Sequence, residues 1–381
     1  MHNKFKWLPM LLVPFVLTGC WDSVEINERN VVLEVAIDKN AEVDESQPIN
    51  KRESYEITYT IPDMKKLSGK DSLSDDVKSS IVTKSPTIDV SVDEVESKTQ
   101  DTITFSHVQA IILGEELLKD QKLFRETIDG LMRNMEMRRD TNVLAVKGKA
   151  SDVSKADNSQ NPILGLYIMK YFDNSERPVS YAKEQVVGNM VKELQDSNIT
   201  TIPIVANDEE KNIQISGAAL IKDYQLVDWL TKEEVRGLLF VEGKINKVPI
   251  VIEYQGNPLT YIIEYENSKI KFEDRVANIQ IITKGNITEY ISTGIDNIFS
   301  PQDIDEITQL LQKEIKQQIM VAVNKSKEIN ADFLNIGLAM YRKHPKLWQQ
   351  NYEATWEKEG YKNMPIQIQV NSTIKNIGVL E

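Results

Sequence analysis

Residues 259–292 read LTYIIEYENSKIKFEDRVANIQIITKGNITEYIS, and residues 300–323 read SPQDIDEITQLLQKEIKQQIMVAV. The first stretch alternates apolar and polar residues, the period-two pattern of antiparallel strands that bury one face. The second changes period. Ile304, Ile307, Leu311, Ile315, Ile319, Ala322 and Val323 recur at steps of mostly three and four, which puts them on one stripe of a helix. Ser300 reads as its cap and Pro301 suits the first turn. Run to Ile329, the helix spans about 43 Å at 1.5 Å per residue. Asp305, Gln309, Lys313, Lys316 and Gln317 form its other face. One apolar stripe of this length suits a helix laid across a sheet. A helix lying on a membrane surface is the competing reading, and the mixed sign of the polar face opposes it.

Outward from this core, DFLNIGLAMYRKHPKLW (332–348) predicts a second helix capped by Asp332 and ended or bent at Pro345. MPIQIQVNSTIKNIG (364–378) is a closing strand through Ile366, Ile368 and Val370. Upstream, KVPIVIEY (247–254) is a strand, and TKEEVRGLLF (231–240) is a helix with Thr231 and Glu234 as a reciprocal cap. TTIPIVA, NIQISGAALIKD and QLVDWL, within 200–230, are short strands or turns, and 158–200 is mostly helical with a break at FDNSERPVS. Further back, ESYEITYTIPD (53–63) puts Tyr55, Ile57, Tyr59 and Ile61 on one strand face. It is joined to NVVLEVAIDKN (30–40) by a hairpin loop over 39–53, and the polar stretch 62–86 reads mainly as a loop. SVDEVESKTQ (91–100) predicts a short helix with Ser91 as cap and Glu94 as its partner. TITFSHVQAIILG (102–114) reads as one buried strand, LFRETIDGLMRNMEMRR (123–139) as a helix and TNVLAVKG (141–148) as a strand. This order of β-α-β-α-β units predicts a mixed or partly parallel sheet.

The N-terminus reads differently. Lys4 and Lys6 precede an uncharged apolar run from Trp7 to Thr18, and Leu17-Thr18-Gly19 leads into Cys20, the chain's single cysteine. About 12 apolar residues are too few for a spanning helix, which needs roughly 20. A basic start, a short apolar run and small residues at a cut site describe an export signal. Leu-Thr-Gly-Cys matches the bacterial lipobox, in which the cysteine thiol takes a diacylglycerol and becomes residue one after cleavage. An ordinary signal peptide that ends near a cysteine is the plainer alternative. A lone cysteine excludes an intramolecular disulfide framework. Loss of residues 1–19, with two lysines, takes the formal net charge from −13 to −15. That opposes general binding to nucleic acid or anionic lipid, so membrane contact is expected through palmitate-like acyl chains.

The fold class expected is α+β: a three-domain mixed α/β lipoprotein with mostly antiparallel sheets and a long C-terminal helix packed on a sheet. The expected division is a cleaved signal over 1–19, an N-terminal mixed α/β domain over 20–200, a middle domain over 201–255 and a C-terminal sheet-and-helix domain over 256–381.

No catalytic constellation is legible. His2 leaves with the signal, and His107 and His344 lack the neighbours that a zinc site requires. There is no nucleophile elbow, P-loop or dinucleotide fingerprint. SGAAL (216–220) reads as close packing rather than a phosphate cradle. Hence no enzyme activity, cofactor or metal is expected. Trp229, Trp348 and Trp356 have apolar neighbours and read as core, whereas Trp21 would sit at interfacial depth beside the acyl chains. Arg133, Arg138 and Arg139 read as a solvated helix end or a partner surface.

At GCWDSVEIN, FSHVQAIILGEELL, MRNMEMRRDTNVLAVKG and DFLNIGLAMYRKHPKLW, the chain resembles the Ger(x)C family, the C-subunit lipoproteins of spore germinant receptors. The most specific parts are Cys20-Trp21-Asp22 and a segment with Asp332, Phe333, Gly337, Tyr341, Pro345 and Trp348, which serve as an interface or as core. Ser23-Val24-Glu25 depart from the basic or Arg-Glu sequence more usual there, in a stretch that reads as a tether, so the departure puts no core function in doubt. The resemblance implies a protein lipid-anchored through Cys20 on the outer face of the inner spore membrane. It implies assembly with two integral membrane subunits, A and B, into a nutrient receptor, in a role without catalysis. A solute-binding lipoprotein that captures the nutrient itself is the rival class, although the alternating C-terminal strands fit two parallel α/β lobes poorly.

Overall fold

The computed structural model describes residues 29–63, 77–133, 136–156, 162–208, 212–273, 275–290 and 299–377. The first half runs β1 (Arg29–Val31), β2 (Glu34–Lys39), β3 (Tyr55–Pro62), β4 (Lys78–Ser85), α1 (Ile88–Ser97), β5 (Thr102–Thr104), β6 (Ala110–Leu113), α2 (Glu115–Lys119) and α3 (Gln121–Arg133). It continues with β7 (Asn142–Ala145), α4 (Ala150–Lys155), α5 (Leu164–Asp173), α6 (Val187–Ser197), β8 (Ile199–Asn207), β9 (Ile213–Lys222) and β10 (Gln225–Leu230). Eight of these strands form one sheet in the order β10-β9-β8-β7-β6-β2-β3-β4. The centre, β2, β6, β7 and β8, is parallel, and the strands on both flanks are antiparallel.

Parallel neighbours need crossovers, and the helices that supply them cover both faces of the sheet. All four residues of β6 are therefore buried. Ile111 and Leu113 join one apolar cluster, with Phe124 and Leu194, while Ala110 and Ile112 join another, with Leu164 and Ile168.

Three expectations are corrected here. Residues 78–85, read as loop, form β4, which among the described residues is an edge strand paired with β3. Its half-buried Lys78 and Lys84 and exposed Ser79 and Ser80 suit an edge, where charge blocks further pairing, and they hide the strand pattern. The helix after it starts earlier, at Ile88, with Thr87 as cap; Ser91 is buried inside it, with its hydroxyl 2.7 Å from that of Tyr59. The stretch 102–114 is two strands, because the chain turns at Ser106-His107; β5 pairs with β1 in a separate parallel ribbon.

The second half runs α7 (Lys232–Glu242), β11 (Val248–Tyr254), β12 (Asn257–Glu273), β13 (Val276–Tyr290), α8 (Pro301–Glu328), α9 (Ile336–Lys343), α10 (Pro345–Asn351) and β14 (Ile366–Asn376). Thr231–Glu234 and Ser300–Asp303 close capping boxes on α7 and α8. The sheet order is β11-β12-β13-β14, antiparallel except for the last pair, which is parallel because α8 to α10 carry the chain back. Ile307, Leu311, Ile315, Ile319, Ala322 and Val323 of α8 are buried, and the helix lies across this sheet as its stripe predicts. The other sheet face is mixed, with Val251, Tyr265 and Ile282 exposed among polar residues and the Gln280 amide donating to Gln369 at 3.1 Å. A Cβ at Gly237 would stand 2.6 Å from that of Ala322, so only glycine lets α7 cross α8 this closely. The expected α+β class, with a long helix on a sheet, is borne out.

Residues 199–230 extend the eight-stranded sheet, and 232–254 belong to the second core. β9 serves both: Ala218 and Leu220 face the C-terminal core, Ala219 and Ile221 the N-terminal one. Beside it, the buried Lys183 ammonium donates to Glu193 at 2.9 Å and to Glu242 at 2.8 Å, which ties α6 to α7.

Candidate functional site

At the end of α8 the chain turns through Asn330, at φ 48°, into Ala331-Asp332-Phe333. Ala331, Phe333 and Leu334 are buried in the C-terminal core. Asp332 accepts from the backbone N–H of Ile336 at 2.9 Å and of Gly337 at 2.6 Å, and from the Trp356 indole N–H at 3.3 Å. It thus satisfies the first N–H groups of α9, but not from the N-cap position expected: that position is Asn335, in the left-handed region, and the helix begins only at Ile336. Burial pushes the Asp332 carboxyl up to about 7, against the pull of its three N–H donors.

Trp356 is seated where Gly337 has no side chain. A Cβ at 337 would stand 2.5 Å from the indole nitrogen. Around the indole, ring centroids lie 5.2 Å away for Trp348, 5.4 Å for Tyr361 and 5.9 Å for Tyr352. Tyr361 is buried, its hydroxyl bonded to Ser326 of α8, and burial pushes its ionisation well up. Asn330 donates to the carbonyls of Glu357 and Lys358, which fixes the turn bearing Trp356.

This knot walls one side of an open cleft of about 680 Å³. Asp196 and Asn198 at the end of α6, with Lys222 of β9, form the other side. The cleft therefore lies where the two halves meet, and the Arg342–Asp196 ion pair, at 3.0 Å, crosses it.

The residues singled out from sequence separate here. Asp332, Gly337, Tyr341 and Trp348 line the cleft, while Phe333 turns into the core. Pro345 opens α10 at an exposed position, and Tyr341 is 49% exposed. Cys20, Trp21 and Asp22 lie outside the described residues. Trp356 is core, and Trp229 and Trp348 are half-buried against the two cores. Arg133 and Arg138 form exposed ion pairs with Asp129 and Asp140. His107 and His344 are exposed.

Sequence reasoning missed Trp356 and Tyr361 as the centre of the knot; no periodicity marks the short helical turns, Trp356–Gly360 and Tyr361–Asn363, that carry them. It also missed Lys183, whose type and neighbours in sequence suggest a surface residue.

Two further buried carboxylates share the arrangement of Asp332. Glu34 accepts from the Gly165 N–H at 2.9 Å, and Asp38 from the N–H groups of Ala150 and Ser151 at 2.7 and 2.9 Å. Burial raises both, Glu34 to about 7. Each meets the unsatisfied N–H groups at a helix start, so capping accounts for the buried position of these carboxyls, burial raises them against the pull of those N–H groups, and they mark no acid–base pair. Among the described residues no group of three or more His, Cys, Asp or Glu could hold a metal ion.

Residues 22–207 match the spore germination protein N-terminal domain, and residues 216–378 match the family described as spore germination B3/GerAC like, C-terminal. Similar proteins include spore germination protein A3 of Bacillus subtilis (strain 168), 23% identical over 98% of each chain. Spore germination protein B3 of the same organism is 24% identical over 100% of each. The crystal structure of the GerBC protein matches with a TM-score of 0.58 at 21% identity, covering 90% of this chain and 97% of that one. At that identity the match is one of fold.

Proposed function

This chain belongs to the Ger(x)C family of spore germination proteins, and on that premise we propose that it is the lipid-anchored C subunit of a nutrient germinant receptor. The observation that carries the reading is the family match through both halves, which begins two residues after Cys20. Acylated Cys20 holds the folded body at the outer face of the inner spore membrane. No helix among the described residues is long and apolar enough to cross a membrane. Confinement to a surface raises the effective concentration toward the integral A and B subunits. The subunit acts as a scaffold for assembly, without catalysis of its own.

The test is the chain's own lipid. Membrane fractions from sporulating cells should hold the wild-type protein, with an N-terminal peptide that starts at Cys20 and carries acyl mass. Cys20→Ala should lose that peptide and leave the protein unassembled though folded. An unmodified wild-type cysteine would overturn the anchor.

The cleft, at about 680 Å³, falls within the usual range of small-molecule sites and is the one feature that favours nutrient capture. Most of its central polar groups are already engaged, Asp332 by three N–H donors and the Asn330 amide nitrogen by two carbonyls, which leaves the buried Asn330 Oδ1 without a partner among the described residues. Calorimetric titration with amino acids and sugars should show no saturable binding; a saturable isotherm would favour capture over the scaffold.

A further inference from the structure

From Phe333 to Tyr352 the chain has no Asp or Glu, in a protein with 58 of them and a net charge of −13. The same stretch holds Arg342, Lys343, His344 and Lys346. Arg342 and Lys343 end α9, His344 joins it to α10 and Lys346 lies in the first turn of α10, and residues 341–347 around this bend are exposed throughout. Among them, Tyr341 is 49% and Leu347 37% exposed. α10 buries no residue, so core packing does not account for its composition. Trp348 follows, half-buried and stacked toward Trp356.

The cations are also positioned. Arg342 is held by Asp196 at 3.0 Å, and Lys343 donates to the Ile270 carbonyl at 2.6 Å. The His344 ring stands edge-on to Phe272 at 6.1 Å. Arg and Lys each carry more donors than these bonds use. The cleft opens behind the turn, with Tyr341 and Trp348 on its lip.

We propose that residues 341–348, with this cleft, form the docking surface for an acidic segment of a partner protein that inserts an apolar or aromatic anchor. The inference rests on the receptor-subunit reading and names the face that reading leaves open. Charge complementarity selects the occupant of the turn, which is basic on an acidic protein and whose Tyr, Trp and Arg are the residue types that dominate interface energies. The cleft behind it is lined by Asp196, Glu353 and Glu357 as well as Lys222 and Lys358, so it takes the uncharged anchor while the acidic side chains meet Lys343 and Lys346. Anionic lipid is recognised by flexible cations and an inserted apolar face. Here two of the cations are fixed and Leu347 is the single exposed aliphatic side chain of the turn, which favours a shaped protein surface.

The test places photoreactive p-benzoylphenylalanine at Leu347 of the full-length chain in spores, with Val227, 53% exposed on β10, as the control position. Irradiation and peptide mass spectrometry should find an adduct at 347, absent at 227, to an acidic segment of a receptor membrane subunit. Lys343→Glu with Lys346→Glu should cut that adduct about tenfold or more at an unchanged melting temperature. Lys346→Glu alone gives the same comparison if the double variant fails to accumulate. An adduct to lipid, to a segment without acidic residues, equally from both positions or from neither, or one indifferent to charge reversal, overturns the docking surface. A normal nutrient response in spores lacking the gene overturns the receptor reading instead, whatever the adduct shows.

Discussion

Gly337→Ala probes the knot at the cleft most sharply, because two effects of opposite sign meet there. Alanine inside a helix is worth about 1 kcal/mol over glycine. Against this, the new Cβ would lie 2.5 Å from the Trp356 indole nitrogen and 2.6 Å from Cε2. The ring cannot swing away freely, since Trp348, Tyr352 and Tyr361 surround it. Overpacking of this kind costs about 1–3 kcal/mol. Displacing the indole also weakens its bond to Asp332, for about 1 kcal/mol more. The balance is a loss of about 1–3 kcal/mol, read as a lower urea midpoint at unchanged slope. A double-mutant cycle isolates the cause. Phe at 356 removes the indole nitrogen and the fused ring that meet the Cβ, so Gly337→Ala should be neutral or stabilising in the Trp356→Phe background. A coupling of about 2 kcal/mol is expected. Equal cost in both backgrounds, or a Gly337→Ala protein as stable as wild type, would refute the close-packing argument.

Lys183→Met should cost about 3–5 kcal/mol in urea melts, because Glu193 and Glu242 then lose the cation they share. Tyr341→Ala should change stability by less than about 0.5 kcal/mol, since the ring is half exposed, whereas Trp356→Ala should cost about 3–5 kcal/mol. The pH dependence follows from Glu34, Glu266 and Asp332, which burial raises to about 7, 8 and 7. Each holds a proton in the folded chain that the unfolded chain releases, so stability should fall as pH rises from about 4.5 to 8. The urea midpoint should be lower at pH 8 than at pH 5, with a flatter decline in Asp332→Asn; a midpoint that rises over this range contradicts the assignment.

The C-terminal architecture was legible because its patterns are long and its faces unequal. Period two in 259–292 and the stripe from Ile307 to Val323 each point to one buried face, and both caps were visible in Ser300 and Thr231. The failures lie where local pattern and burial part. β4 carries lysine and serine because it is an edge, and the strand read over 102–114 ignored the turn at Ser106-His107. Ser91 looked like a cap by spacing, yet it is buried against Tyr59. At the site, Asp332 was read as the N-cap, a position that Asn335 holds, and Gly337 was found by resemblance, but only the fold brings Trp356 onto Gly337. The exposure of Tyr341 and the burial of Lys183 likewise depend on contacts between segments far apart in sequence.

The central claim is that this protein works in nutrient reception and needs its lipid to do so. Nutrient-triggered dipicolinate release from spores carrying Cys20→Ala, beside spores lacking the gene, tests it most directly. Both strains should fail with nutrients while still responding to added dipicolinate or a cationic surfactant. Normal release from both, with every nutrient tried and no redundant receptor present, would contradict the account.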